Sequence, residues 1–188
     1  MTKDFKKRFD AVAARALGEL LPGERGAISY SAELSAFMRF NGGKVRQSGS
    51  VEQADLSIKL WKGAKTYSFL LALSGDEAED DERVAEAVGK ARALMPLLPD
   101  DPYQAVPEAA GSSDARYSGS LLPEAEIPAR VLGPAAGLDF TGVYSQGLVC
   151  RGAANSAGAR HWFQTETFLV DYSAWLPNGR AVKSSYAG

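Results

Sequence analysis

Cysteine and long apolar runs are nearly absent from this chain of 188 residues. Its one cysteine, Cys150, excludes an internal disulfide, and a lone thiol is typical of a reducing compartment. No segment approaches 18 uninterrupted apolar residues, and the N-terminal segment is too charged for a secretory signal. These absences predict a cytoplasmic protein with no membrane partner.

An excess of basic residues is absent too. The chain has 21 Lys and Arg against 23 Asp and Glu, for a formal net charge of −2. Proteins that bind nucleic acid normally carry a clustered basic surface that replaces phosphate counterions. The charge balance therefore disfavours a nucleic-acid partner.

Apolar residues are plentiful, at 45% of the chain, so a real core is expected. Helical spacing predicts an amphipathic helix over residues 3–20, ended by Pro22-Gly23. A second helix is predicted to end before Pro99, and the acidic run 76–82 crowds its start, where carboxylates favour the positive end of the helix dipole.

Between these helices the sequence predicts a β-meander of four antiparallel strands over residues 32–76. Alternation of apolar and polar residues marks the strands, and the apolar positions expected to face the helices are Leu56, Ile58, Leu60, Tyr67, Phe69 and Leu71. Lys59 and Ser68 are expected to face away. Asn41-Gly42-Gly43 and Gly63-Ala64 tolerate the positive φ of tight turns, the second as a type II′ hairpin.

The predicted fold class is α+β, an antiparallel meander covered on one face by two helices and followed by a second, incomplete, mostly antiparallel β region. We expect an N-terminal α+β domain over 1–100, a linker and short helix over 101–137, and the start of a β-rich domain over 138–188. Strands are predicted over 140–150, 160–175 and 180–186, with turns at 155–158 and 177–179. Because nothing caps the last strand, we expect the chain to be the N-terminal part of a longer polypeptide. Its adhesive edge is expected either to self-associate or to be disordered.

Several blocks of the chain resemble the TldD/PmbA family, bacterial and archaeal proteins linked to zinc-dependent peptidases and called modulators of DNA gyrase. The blocks are RFNGGKVRQ at 39–47, LPDDPY at 98–103, GVY at 142–144, RGAANSAG at 151–158 and HWF at 161–163. Together with the meander and the closing AVK and YAG segments they cover roughly residues 33–188. The resemblance implies a role in proteolysis or peptide maturation within a homo- or heterodimer of family members.

The zinc site of such peptidases is associated with a His-Glu-x-x-x-His helix. This chain has one histidine, so the motif is impossible here, and we expect neither catalytic residues, nor a metal site, nor a cofactor on this chain. The resemblance leaves zinc possible in the full-length protein, on sequence outside this chain. Cys150 is interpreted as a small buried hydrophobe rather than a nucleophile.

The turn region between the strands at 140–150 and 160–175 supplies the candidate substrate-binding residues. Arg151 and Asn155, with Arg160, surround one turn, and His161 follows on the next strand. The structural interpretation is a solvated turn in which Asn155 caps its own backbone, and a hydrogen-bonded imidazole at a strand end. The functional interpretation is the wall of a channel in which an extended peptide pairs with exposed strand backbone.

Three functional hypotheses remain open from sequence. The first is a substrate- or partner-binding module of a TldD/PmbA-like peptidase-family protein, acting on a peptide or unfolded polypeptide. The second is a non-catalytic module that docks a peptide or a protein, such as an inactive partner subunit that is a metalloprotease homologue. The third, a nucleic-acid accessory factor, is disfavoured by charge.

Overall fold

The computed structural model describes residues 4–176 and 178–188. Lys3, where the first helix was predicted to begin, and Pro177 of the predicted turn at 177–179 lie outside the described residues. In chain order the elements are α1 (Phe5–Gly18), β1 (Glu24–Asn41), β2 (Lys44–Lys62), β3 (Lys65–Ala72), α2 (Glu77–Leu94), β4 (Gly111–Tyr117), α3 (Ile127–Leu132), β5 (Asp139–Asn155), β6 (Ala159–Trp175) and β7 (Ala181–Ala187). Short 3-10 turns precede α3 at Glu124–Glu126 and follow α2 at Met95–Leu97.

The seven described strands form one antiparallel sheet, which confirms the α+β class. The strand order is β3-β2-β1-β5-β6-β4, and β7 pairs with β6. The two strand regions expected from sequence are therefore joined, because β5 lies beside β1. Strands β5, β6 and β7 and the short helix α3 fall where the sequence predicted them.

The predicted meander has three strands rather than four. The segments at 45–47 and 56–60 belong to the single strand β2, which runs for 19 residues. Apolar alternation is lost at 47–53 because nearly all of these side chains are exposed or half-buried, while backbone pairing with β1 continues. A strand exposed on both faces leaves no periodic signal in its sequence.

Strand β4 lies inside the segment predicted as a linker. Its sequence, GSSDARY, has no apolar alternation, and all but one of its residues are exposed. It pairs with β6 at the edge of the sheet. Edge strands are commonly short and polar, so propensity patterns miss them.

Both predicted hairpin turns are confirmed by their backbone angles. Gly42 and Gly43 have φ of +57° and +68°, as a type I′ turn requires. At the second turn only Gly63 has positive φ, at +58°, and Lys62 pairs with Lys65, as in a two-residue type II′ loop.

The residues group into two compact units, each assembled from separate stretches of chain. Unit 1 comprises the described part of Met1–Ala32, with Gln53–Arg116 and Cys150–Gln164; unit 2 comprises Glu33–Glu52, Tyr117–Val149 and the described part of Thr165–Gly188. This division cuts across the contiguous boundaries expected at residues 100 and 138, because β1, β2, β5 and β6 each contribute residues to both units.

In unit 1 the sheet face predicted to meet the helices is the buried one. Leu56, Ile58 and Leu60 are at most 3% exposed and lie opposite Leu71, Phe69 and Tyr67 respectively. Lys59 and Ser68 are opposite each other and exposed. The predicted register is confirmed, since a shift by one residue would exchange these two sets.

A buried charge fixes α1 against α2. Asp80 of α2 is 1% exposed and accepts hydrogen bonds from the backbone of Ser74 and Gly75, from the Ser74 hydroxyl, and from Arg8 Nη2 at 3.1 Å. Although burial opposes ionisation, these donors hold the pKa of Asp80 below its usual range. The carboxylate thus ties α1 and the loop after β3 to the start of α2.

No helix among residues 4–176 and 178–188 is long and apolar enough to cross a membrane.

Replacing Ile58 by Ala should lower the free energy of unfolding by about 2–5 kcal/mol, because the side chain is fully buried. Urea unfolding followed by circular dichroism measures the loss. The matched control is Ser68→Ala on the exposed face of the neighbouring strand, which should change stability by about 0.5 kcal/mol or less. A loss under about 0.5 kcal/mol for Ile58→Ala would show that the face is wrong.

Glu24 should make unit 1 acid-sensitive. Arg92 binds its carboxylate at 2.8 and 2.9 Å and, despite an opposing effect of burial, lowers the pKa of Glu24 from 4.5 to about 2. Its stabilisation is therefore full above the unfolded-state pKa and is lost as pH falls from 4.5 towards 2.

Urea unfolding at pH 7 and at low pH tests this. The free energy of unfolding should fall between pH 7 and low pH in the wild type. In Glu24→Gln this fall should be smaller by about 1–3 kcal/mol. Glu86→Gln, which removes an exposed i,i+4 pair with Lys90, is the control and should keep it. Equal acid dependence in wild type and Glu24→Gln would refute the assignment.

Candidate functional site

The predicted substrate-binding residues lie on the β5–β6 hairpin within unit 1. Asn155 ends β5 and is only 7% exposed. Its Oδ1 accepts hydrogen bonds from the backbone of Ala157 and Ala159, and its Nδ2 donates to the carbonyls of Pro107 and Ala109. These bonds occupy the amide and match the structural interpretation, in which Asn155 caps the turn.

Arg151 and His161 are exposed and make few contacts. The Arg151 guanidinium donates to the adjacent Cys150 carbonyl at 2.8 Å. Nδ1 of His161 lies 2.9 Å from the Ser113 hydroxyl on β4. Contact of Arg151 or His161 with a substrate stays a prediction.

Arg160 does not join these residues. It lies on the same side of β6 as the buried Trp162, whereas Arg151 and His161 are exposed. Its guanidinium carbon is 6.0 Å from the centre of the Phe9 ring, and its buried Nη1 has no hydrogen-bond partner. The guanidinium therefore packs against α1 instead of facing the turn surface.

Neither a metal-binding cluster nor a reactive cysteine is found among residues 4–176 and 178–188. Nowhere in 4–176 or 178–188 do three His, Cys, Asp or Glu side chains come together so as to hold a metal ion. These residues do not fit the zinc that the sequence resemblance implies for the family. Cys150 is fully buried, and burial raises the pKa of its thiol to about 11, far from the range of reactive thiolates.

Unit 2 carries an aromatic face that the site prediction missed. It consists of two rows of rings across neighbouring strands. In one, Phe140 lies 6.2 Å from Phe40 and 5.4 Å from Tyr172; in the other, Phe168 lies 6.1 Å from Tyr144 and 5.6 Å from Tyr186. We refer to these six residues as the aromatic face.

A pocket of about 370 Å³ lies between α3 and the aromatic face. Residues of β5 and β6 form one wall, α3 and the following turn form the other, and the lining side chains are Leu122, Arg130, Val131, Pro134, Ala135, Leu138, Phe140, Tyr144, Val170, Tyr172 and Ala174. Its volume falls at the lower end of the range for ligand pockets, roughly 300–1,000 Å³. Arg130 is the one charged residue in its lining.

A buried glutamine holds one wall of this pocket in place. Gln146 of β5 is 8% exposed, accepts from the Leu122 backbone N–H at 3.0 Å and donates to the Leu122 carbonyl at 2.7 Å. Its Oε1 also accepts from the Tyr144 hydroxyl at 2.8 Å. Leu122 and Tyr144 are therefore positioned by the same amide.

Strand β7 presents an open backbone edge beside the aromatic face. Phe168 and Gly188 exchange both backbone hydrogen bonds, at 2.8 and 3.1 Å, and Val170 lies opposite Tyr186. Because bonded and non-bonded pairs alternate along an antiparallel ladder, residues 182, 184 and 186 direct their N–H and C=O groups towards β6. Residues 181, 183, 185 and 187 direct theirs outwards, and β7 has no second neighbour among the described strands.

Side chains of β7 extend the aromatic face to this edge. Val182 and Tyr186 lie opposite Ala174 and Val170, two residues of the pocket lining, so they share that side of the sheet. They are 58% and 66% exposed. The apolar residues Phe168, Val170 and Tyr186 were visible in the sequence, but the pocket that α3 forms with this region was not.

Comparisons with known proteins identify solved structures that have a similar fold. No family model and no curated protein matches this chain. Several solved structures resemble it. Among them, each with a TM-score of 0.61, are a protein described as a modulator of a DNA gyrase from Thermotoga maritima (16% identity), TldE from Thermococcus kodakarensis (13%), and a protein described as a modulator of DNA gyrase from Bacteroides thetaiotaomicron (15%). The matches cover 98%, 93% and 100% of this chain.

The fold is that of TldE and the gyrase-modulator proteins. The resemblance inferred from sequence is thereby confirmed at the level of the fold. The chain spans only 42–45% of the length of those proteins, so it corresponds to part of them.

We predict that this chain binds no stoichiometric zinc and cleaves no peptide, because its described residues bring no ligand set together. Metal analysis after dialysis, with a peptidase assay on the same sample, provides the measurement. One tightly held zinc per chain, lost together with peptidase activity in His161→Ala, would contradict it.

Proposed function

We propose that this chain is a non-catalytic peptide-binding part of a TldD/PmbA-like protein that acts in cytoplasmic proteolysis or peptide maturation. Its occupant is an extended segment of a peptide or unfolded polypeptide. The observation that carries the proposal is the open edge of β7 beside the aromatic face. Any bond cleavage would depend on residues outside this chain.

The geometry of β7 suits strand addition. Its outward backbone groups, at Lys183 and Ser185 among others, can pair with an added strand in the manner of β-augmentation. Side chains at alternate positions of that strand would lie next to Val182 and Tyr186. Backbone pairing tolerates many sequences, while the exposed side chains of Val182 and Tyr186 favour apolar residues at every second position.

The alternative is a docking surface for another subunit. A second copy of this chain or another family member could occupy the same edge, and β7 has the exposed apolar residues that promote self-association. Such a role matches an inactive partner subunit in a dimer.

Removing one outward N–H donor from β7 tests whether the backbone edge of this strand binds a peptide or another subunit. Ser185→Pro deletes an N–H that points away from β6, a position where edge strands tolerate proline. Binding of a fluorescein-labelled Thr-Val-Thr-Phe-Thr-Val-Thr peptide, measured by fluorescence anisotropy, should weaken roughly tenfold. The matched control, Ser185→Ala, keeps the N–H and should bind as the wild type does.

A second probe carries the same side chains on a backbone methylated at alternate nitrogens, and it should bind weakly to every variant. Light scattering after size exclusion identifies the docking alternative, in which the wild type self-associates and Ser185→Pro is monomeric. Equal peptide binding by Ser185→Pro and Ser185→Ala, with no self-association, would reject both uses of the edge.

A further inference from the structure

The pocket in unit 2 has a chemical character of its own, independent of the β7 edge. Ten of its eleven lining residues are apolar or aromatic, and only Arg130 is charged. The Tyr144 hydroxyl is already bonded to Gln146 inside the protein. Apart from the Tyr172 hydroxyl, the lining therefore offers an apolar interior and a single cation.

Neighbouring acids do not neutralise that cation from the pocket side. Asp139 and Asp171 adjoin lining residues in sequence, but side chains alternate along β5 and β6, so both face the other side of the sheet. Asp171 is paired there with Lys183 at 3.4 Å. Among the acids near the pocket, Glu126 is the one that contacts Arg130.

The contact between Arg130 and Glu126 is weak. It is an i,i+4 ion pair at 3.7 Å, and the two side chains are 68% and 53% exposed. Exposed pairs of this kind contribute little stability, so an entering anion displaces Glu126 at small cost. A guanidinium is also well suited to a carboxylate, which it can bind through two parallel hydrogen bonds.

We propose that this pocket binds an amphipathic anion, a carboxylate attached to an aliphatic or aromatic group. The apolar part lies between α3 and the ring pair of Phe140 and Tyr172, and the carboxylate meets Arg130 at the rim. Two sources share this chemistry, a free fatty acid and the C-terminus of a peptide with an apolar last residue. No bond is made or broken in the pocket.

Calorimetric titration with matched ligands tests both the charge and the source. Decanoate and decanol differ only in the carboxylate, and acetyl-Ala-Ala-Phe is compared as free acid and as amide. Either acid should bind at least roughly tenfold more tightly than its uncharged counterpart. Tight binding of decanoate alone identifies the free acid, and tight binding of the peptide acid alone identifies the peptide terminus.

Variants locate the two halves of the ligand. Arg130→Gln should weaken the acid roughly tenfold and leave decanol unchanged, while Lys183→Gln, a cation on the other side of the sheet, should change neither. Ala174→Phe fills the pocket and should abolish binding, whereas Ser173→Phe, which faces the opposite side of β6, should not. Thermal melts establish that each variant is folded.

The proposal is overturned if decanoate and the peptide acid both bind no better than decanol and the amide, or if Arg130→Gln binds them as the wild type does. If Ala174→Phe does not fold, the comparison of Arg130→Gln with Lys183→Gln still tests the proposal. Ser185→Pro keeps Arg130 and the lining intact, so failure of the β7 proposal leaves acid binding unaffected.

Discussion

The backbone ladder that joins β2, β1, β5 and β6 is the interaction on which the rest of the structure depends. Each of these strands has 17 to 19 residues, far more than the usual strand of about 5–6. One stretch of each strand belongs to unit 1 and another to unit 2. On these shared strands, unit 1 forms its core with α1 and α2, and unit 2 forms its core with the short helix α3.

Close backbone contact along this ladder restricts side chains as well as hydrogen bonds. At Gly147 of β5 an added Cβ would lie 2.2 Å from the Leu34 carbonyl oxygen of β1, so no other residue fits there without a shift. At Gly152, within unit 1, an added Cβ would lie 2.7 Å from the Phe9 ring. These glycines permit close packing, of Gly147 against β1 and of Gly152 against the Phe9 ring of α1.

Local periodicity determined what could be predicted. Leu56, Ile58 and Leu60 alternate because one face is buried, and that pattern identified the strand, its register and its partner face correctly. Strand β4 and the middle of β2 are exposed on both faces, and there the sequence carries no alternation to detect. Long-range pairing, not local preference, makes those residues strands.

For the candidate site, too, sequence predicted the features that depend on neighbouring residues and missed those that depend on distant ones. Asn155 lies beside a glycine-containing turn, which is a local signal, and the turn was predictable from it. The hydrogen bonds that cap the turn occupy both polar atoms of the Asn155 amide. The pocket forms where α3 meets β6 side chains that lie 40 to 44 positions after Arg130 in sequence, from Val170 to Ala174. No local sequence pattern encodes a contact over that separation. Sequence therefore indicated the apolar residues of unit 2 without indicating the cavity between them.

Strand β6 connects the two proposed binding surfaces of unit 2. Val170, Tyr172 and Ala174 contribute side chains to the pocket and lie opposite Tyr186, Ser184 and Val182 in the ladder with β7. A strand added to β7 would reach this wall of the pocket only through the β7–β6 ladder. Coupling between two binding sites is reciprocal. If a pocket ligand raises the affinity of the β7 edge for an added strand, the added strand must raise the affinity of the pocket for that ligand by the same factor.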